Sequence, residues 1–396
     1  MCSVRLKRSL TLFQRRYFIA ALICAFLAGC SLAPSVPVDG QFLGYPVQTA
    51  VDSKIVKFYI EDYFVEDVEA AQSEEASENA KKIDQIYHEQ GTDLPSREQL
   101  QLISQEYSID FASLFFVDRL LADNCTAQVN QEYQQFLSLS QDIDPELASS
   151  AMVLFVPGWN YLKKGDYTGA NFASSIKVAA ENNIEHALVP VLPVGSVEQN
   201  AQILAEQIRS QISAGKPLIL VGASSAAPAI HMVLGDFLTE SERSSVLAWV
   251  NVGGILQGTP LVDRFQSWPQ RGLLNLVAWW NGWSTQAILS MNTENSRRRF
   301  SEITPFQDIL ILNYLGVPLS GQLTKYAKGT YSALRSYGPN DGLTLLPDAI
   351  APNSLTIIDF GADHFFTQGP DMQDKTLALI KLVFEGLPEG NNCKYP

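Results

Sequence analysis

The stretch 216–235, KPLILVGASSAAPAIHMVLG, constrains the fold more than any other part of the chain. Positions 217–221 form an unbroken apolar run with two β-branched residues, which is how a strand buried on both faces reads. From about Ser225 the residues are small and apolar, as suits a helix packed hard against that strand. Between the two sits Gly222-Ala223-Ser224-Ser225-Ala226. A strand turning sharply into a helix at a serine holds that serine in strained backbone, so its neighbours must be small. Gly222 meets this need, and Ala226 is only one methyl larger than glycine. Ser224 Oγ would then project into a cleft as a candidate nucleophile. The N–H of Ser225, at the start of the helix, would face the same place and could stabilise an oxyanion.

This layout resembles the nucleophile elbow of the α/β-hydrolase superfamily. From Ala151 onward strands and helices alternate, as in a parallel sheet with helices on its faces. Strands are expected at 152–156, 187–192, 217–221, 245–255, 316–320 and 354–360, and helices at 168–182, 196–213 and 371–386. The expected fold class is α/β, a mostly parallel sheet flanked by helices, over residues 149–396. The likeness covers about 150–388 and leaves the N-terminal third unaccounted for.

The resemblance implies the chain order nucleophile, acid, histidine. Of the four histidines, His364 follows the last strand and stands where that order puts the general base. It would take the proton of Ser224 and return it to the leaving group. His88 precedes the domain, His186 lies just before a strand at the edge away from the cleft, and His231 sits two turns along the elbow helix. For the acid, Asp341 in Asn340-Asp341-Gly342 lies between the last two strands, and a similar Asn-Asp-Gly recurs in bacterial lipases. Asp363, Asp348 and Asp263 are the substitutes. Pro157-Gly158-Trp159 follows the first strand, where the superfamily carries its oxyanion loop. A backbone N–H from Trp159, or from Asn160, would join that of Ser225.

The implied activity is hydrolysis of a carboxylic or lipid ester through an acyl-enzyme, with an ester or lipid-like small molecule as substrate. No cofactor is called for, and no metal, since the histidines are scattered and no Cys/His spacing fits zinc. An acyltransferase or a peptidase would use the same three side chains. A non-catalytic envelope lipoprotein could also keep the fold for binding alone.

Residues 1–29 read as a targeting segment. Arg5, Lys7, Arg8, Arg15 and Arg16 precede an apolar run, 17–28, too short for a comfortable membrane span. The run ends in Leu27-Ala28-Gly29-Cys30, which resembles the lipobox of bacterial lipoproteins. That likeness implies cleavage before Cys30 and membrane anchorage through lipid on its thiol. Ser31 in the next position points to an outer membrane, with the protein facing the periplasm. Cys2 and Cys24 would leave with the segment. Cys125 and Cys393 would then remain in an oxidising compartment, where a disulfide between them is expected.

The net charge of −14 argues against nucleic acid or an anionic membrane surface as the main partner. Residues 30–44, rich in Pro, Val and Ser, read as a tether, and 45–148 as a mainly helical region. Within it, Ser96 and Gln99 carry the pattern of a helix start, and 110–122 reads as a buried helix.

An insertion, 263–300, breaks the alternation. It is lid-like, with Trp279, Trp280 and Trp283 lining an acyl pocket or touching lipid, or else its tryptophans are the packing face of two helices. Arg297-Arg298-Arg299 is either a solvated helix end or a seat for an anionic group.

Overall fold

A computed structural model describes residues 34–64, 73–138 and 143–385. The targeting segment, Cys30 and Cys393 lie outside the described residues. Six strands form one parallel sheet, in the order β4 (His186–Leu188), β3 (Met152–Val156), β5 (Leu218–Ala223), β6 (Val246–Val252), β7 (Leu310–Val317) and β8 (Leu355–Phe360). This is the α/β arrangement that the resemblance implies.

Alternate side chains of each strand serve opposite layers. Leu154, Leu220 and Trp249 pack beneath the helices Val197–Ile212 and Ala227–Met232. Val153, Phe155 and Ile219 face the other way, toward the helices Ala173–Glu181 and Met372–Glu385. The continuous apolar runs in the sequence are therefore two interleaved half-cores. Ser196 and Gln99 illustrate local agreement: Ser196 and Ser96 each cap their helix in a reciprocal box with Gln199 and Gln99.

Three elements depart from the sequence expectation. The strand expected at 316–320 lies earlier: β7 runs Leu310–Val317, so that only 316 and 317 of the expected stretch belong to it. Asn313 hides it, because a polar residue interrupts the apolar pattern. Its side chain is buried and bonded to Asn251 Nδ2 at 2.9 Å, Ser354 Oγ at 2.6 Å and Thr356 Oγ1 at 3.1 Å. The strand expected at 187–192 shrinks to three residues at the sheet edge, since Pro190 and Pro193 cannot donate to a ladder. The helix expected at 168–182 begins only at Ala173 (Ala173–Glu181), and a separate helix not expected from the sequence, Tyr161–Thr168, precedes it and ends at Gly169 in the left-handed region.

Much of the tether expected at 30–44 is structured. The first two strands, β1 (Val36–Phe42) and β2 (Tyr45–Val51), pair antiparallel, turning at Leu43 and Gly44, both at positive φ as a tight hairpin requires. The helices Lys54–Glu61, Glu74–Gln90, Arg97–Glu106, Ile109–Leu121 and Asn124–Ser138 complete the N-terminal region. Its apolar side shares a core with Leu315, Val317 and Ile358 of the sheet. Asp110 sits at this junction fully buried, accepting from Ser320 N–H at 2.8 Å and Ser320 Oγ at 2.5 Å. Burial, then the nearby Asp52, pushes its carboxyl up to about 7. Among the described residues, no helix is long and apolar enough to cross a membrane.

Candidate active site

β5 runs straight into the bend. Ser224 takes a φ of +55°, a conformation that costs a residue with a side chain on the order of 1–2 kcal/mol. A single turn over Ser224–Ala226 leads into the helix from Ala227, and Ile255 N–H holds the carbonyl of Ser224 at 3.1 Å. Gly222 is required for packing: a Cβ there would lie 2.2 Å from Ile230 Cδ1 on the elbow helix.

His364 lies in the loop after β8. Its Nε2 is 3.0 Å from Ser224 Oγ and its Nδ1 is 2.7 Å from Asp341 Oδ2. Asp341 is fully buried, and its other oxygen accepts from the N–H groups of Leu343 and Thr344, each at 2.8 Å. Because a carboxylate can only accept, Nδ1 carries the ring proton and Nε2 is left to accept from the serine. Hydroxyl, imidazole and carboxylate thus stand in series, from residues 140 and 23 positions apart. Such a series can draw a proton off Ser224 as its oxygen attacks a carbonyl.

The substitute acids are occupied elsewhere. Asp363 accepts from Thr324 N–H at 2.7 Å and Phe365 N–H at 3.1 Å. Asp348 is buried between Arg97, 2.6 Å away, and Arg297, at 3.1 Å. Asp263 holds Thr293 through N–H at 2.8 Å and Oγ1 at 2.6 Å. The arginine run is likewise committed at two of its three positions: Arg297 to Asp348 and Arg299 to Glu198 at 2.8 Å. Arg298 alone is exposed, and its guanidinium reaches only the neighbouring Asn295 side chain.

At the proposed oxyanion position the Pro157-Gly158-Trp159 loop comes close to the elbow. A Cβ on Gly158 would sit 3.2 Å from Ala223 O and 3.5 Å from Ser224 Cβ. The N–H of Asn160 is taken by Pro193 O at 2.6 Å, which removes it as a donor. Among the described residues no acceptor takes the N–H of Trp159. Ser225 lies in the first turn of its helix, where N–H groups lack a helical partner.

The other histidines are not part of this group. His88 is exposed on its helix, and His186 Nδ1 bonds the carbonyl of Ile184 at 2.8 Å. His231 is buried among Trp249, Phe300 and Phe306. Burial, then the charge of Arg299, pushes its imidazole down to about 4. The unfolded chain therefore binds this proton from about pH 6.5 downward while the folded one resists it until about pH 4. Stability from this group is complete above about pH 6.5 and falls by about 3 kcal/mol by pH 4. Denaturant titrations at neutral and acid pH should show His231→Phe losing less stability on acidification than the parent. Equal losses would show that His231 does not set the acid limit.

Sequence reasoning missed Lys375. Its ammonium is buried, 2.6 Å from Asp359 Oδ2 at the end of β8 and 2.7 Å from Gln368 O, so it ties off the loop carrying His364. The available signal was a lysine at a position of the last amphipathic helix that must face inward.

The tryptophans expected to line a pocket do not. Helix Gln270–Asn281 turns Leu274 and Ala278 inward, which puts Trp279 and Trp280 on its outer face, 74% and 46% exposed. Trp283 meets Trp159 edge-on with ring centres 6.4 Å apart. Of these rings only Trp159 reaches the cavity of about 450 Å³ that opens beside Ser224 and His364. Cys125 lies in the helix Asn124–Ser138, and its expected partner Cys393 is outside the described residues.

No family model matches the chain, and no curated protein matches it in sequence. Among solved structures it is similar to a metagenomic carboxyl esterase, at 19% identity and a TM-score of 0.49, covering 60% of this chain and 76% of that one. It is similar to the mature form of a Bacillus licheniformis lipase at 17% identity and a TM-score of 0.46, covering 61% and 94%. Staphylococcus hyicus lipase gives 12% identity and a TM-score of 0.45, covering 62% and 96%. The architecture of this chain is a six-stranded parallel sheet flanked by helices on both faces.

Proposed function

We propose that the chain is a serine ester hydrolase acting through an acyl-enzyme. The observation that carries this reading is the hydrogen-bonded series Ser224–His364–Asp341 at a strained bend. Ser224 Oγ attacks the ester carbonyl while His364 Nε2 takes its proton. The N–H groups of Trp159 and Ser225 hold the developing oxyanion. The imidazolium, oriented by Asp341, then protonates the departing alcohol. Water enters by the same route, giving its proton to His364 and releasing the acid. A fluorophosphonate probe should label Ser224 stoichiometrically, with the adduct located by peptide mass spectrometry. An unlabelled, folded protein would instead favour a binding role for the fold.

We further propose, from the lipobox, that Cys30 is lipidated and holds the protein on the periplasmic face of an outer membrane, and that Cys125 is bonded to Cys393. Intact mass under non-reducing conditions reads both: a diacylglyceryl addition, and two hydrogen atoms fewer than the reduced chain.

A further inference from the structure

The cavity beside Ser224 extends from the loops at the C-terminal edge of the sheet down one of its faces. Its wall is formed by Val153 and Phe155 of β3, Ile219 and Val221 of β5, and Val250 and Val252 of β6. Within each strand these are residues two apart, so they occupy a single face of the sheet. The opposite wall comes from Phe172 and Ser175, at the start of the helix Ala173–Glu181, and from the C-terminal helix, through Met372, Leu379, Ile380 and Val383. The space is therefore a slot between the sheet and these two helices, with Ser224 at its edge. Partial exposure of Val221 and Val252 agrees with this, since both lie on inner strands with a neighbour on each side. A close-packed interior leaves few voids larger than a water molecule, so an apolar space of about 450 Å³ in this layer is not ordinary packing. Apolar side chains dominate the part between sheet and helices, where Ser175 and Thr376 bond each other at 3.0 Å, while Lys164, Asp166, Thr168 and Asn171 line it from the segment before the helix Ala173–Glu181. Ser224 and His364 stand at its mouth.

We infer that this slot is an acyl-binding site, taking one unbranched chain down the face of the sheet while its ester carbonyl rests at Ser224. The inference rests on the hydrolase reading and adds to it the substrate class: esters of a single straight medium-to-long fatty acid. Depth follows from the strand. From Ser224 back to Ile219 is five residues, roughly 16 Å at the rise of a β-strand, or about a dozen carbons of extended chain. At ordinary layer spacing, roughly 10 Å, the space between the sheet face and the helices covering it is one chain deep. A bulky or branched acyl group would be stopped at the mouth.

Wild-type protein should turn over p-nitrophenyl dodecanoate with a kcat/KM at least equal to that for the butanoate. Val221→Trp, which fills the slot from the sheet, should lower the dodecanoate-to-butanoate ratio roughly tenfold or more. Leu379→Trp fills it from the helix and should do the same, so one variant decides if the other fails to fold by its thermal midpoint. The fluorescent fatty acid cis-parinarate, bound to Ser224→Ala, should lose affinity by a similar factor on adding either change. An unaltered chain-length ratio and unaltered parinarate binding in a folded variant would overturn the assignment. The hydrolase reading fails differently: wild type would hydrolyse no ester of any length and take no fluorophosphonate. Parinarate affinity would still respond to Val221→Trp if the slot binds acyl chains.

Discussion

Ser224→Ala should lower kcat toward a short-chain ester by about 100,000-fold and leave the thermal midpoint within roughly 3 °C of the parent. The size follows from what is removed. Without Oγ there is no atom to form the acyl-enzyme, and the remaining donors act only on an attack by water. The small structural cost follows from what remains. Ser224 Oγ has His364 Nε2 as its bonded partner, and alanine keeps the Cβ that the bend already accommodates at a φ of +55°. Steady-state rates, with active-site titration to exclude contaminating wild-type enzyme, give the first number and calorimetry the second. If the variant kept even a tenth of parental kcat, the nucleophile would have to be sought elsewhere, beginning with Ser225.

Asp341→Asn should cost about 1,000- to 10,000-fold in kcat, again with the fold preserved. Oδ1 of Asp341 is claimed by the N–H groups of Leu343 and Thr344, both at 2.8 Å. An asparagine in this place must give its carbonyl oxygen to those two donors, and it therefore turns its NH2 toward His364 Nδ1. That nitrogen becomes an acceptor, the ring proton moves to Nε2, and the imidazole presents a donor where the serine needs a base. The defect is thus one of tautomer, and raising the pH cannot restore Nε2 as the acceptor. Nitrogen NMR of the imidazole would report the switched tautomer directly. A loss smaller than tenfold, or an unchanged tautomer, would mean that Asp341 does not orient His364.

The meeting of Ser224, His364 and Asp341 was legible because the chain order of the family it resembles places them after successive strands, and because Gly222 and Gly342 mark the tight turns beside two of them. The cavity was not legible. The sequence puts Trp279 and Trp280 in the insertion but does not say whether they meet solvent or the core, and Leu274 with Ala278, four positions apart, took the inward side of their helix. β7 was cut short on paper because a buried asparagine looks like a break until its partners Asn251, Ser354 and Thr356 are known. The hairpin at Val36–Phe42 was lost to its prolines and to a turn at Leu43-Gly44 that carries no strong signature. Lys375 failed for the reason shared by all buried charges, that the compensating carboxylate, here Asp359, is sixteen positions away.

The core shared by the N-terminal helices and β7 and β8 has a consequence for how the chain is made. Asp110 finds Ser320 across 210 positions, and the apolar flank of residues 38–120 is covered by residues between 315 and 360, Leu315, Val317, Leu346, Ala349 and Ile358 among them. During synthesis from the N-terminus, that flank stays open until most of the polypeptide has emerged. The earliest-made part is thus the last to be enclosed, a long-range closure that slows folding and exposes the chain to aggregation. Chaperone demand should accordingly fall on the nascent N-terminal third, and a fragment ending before β7 should bind a holdase and fail to reach a compact state.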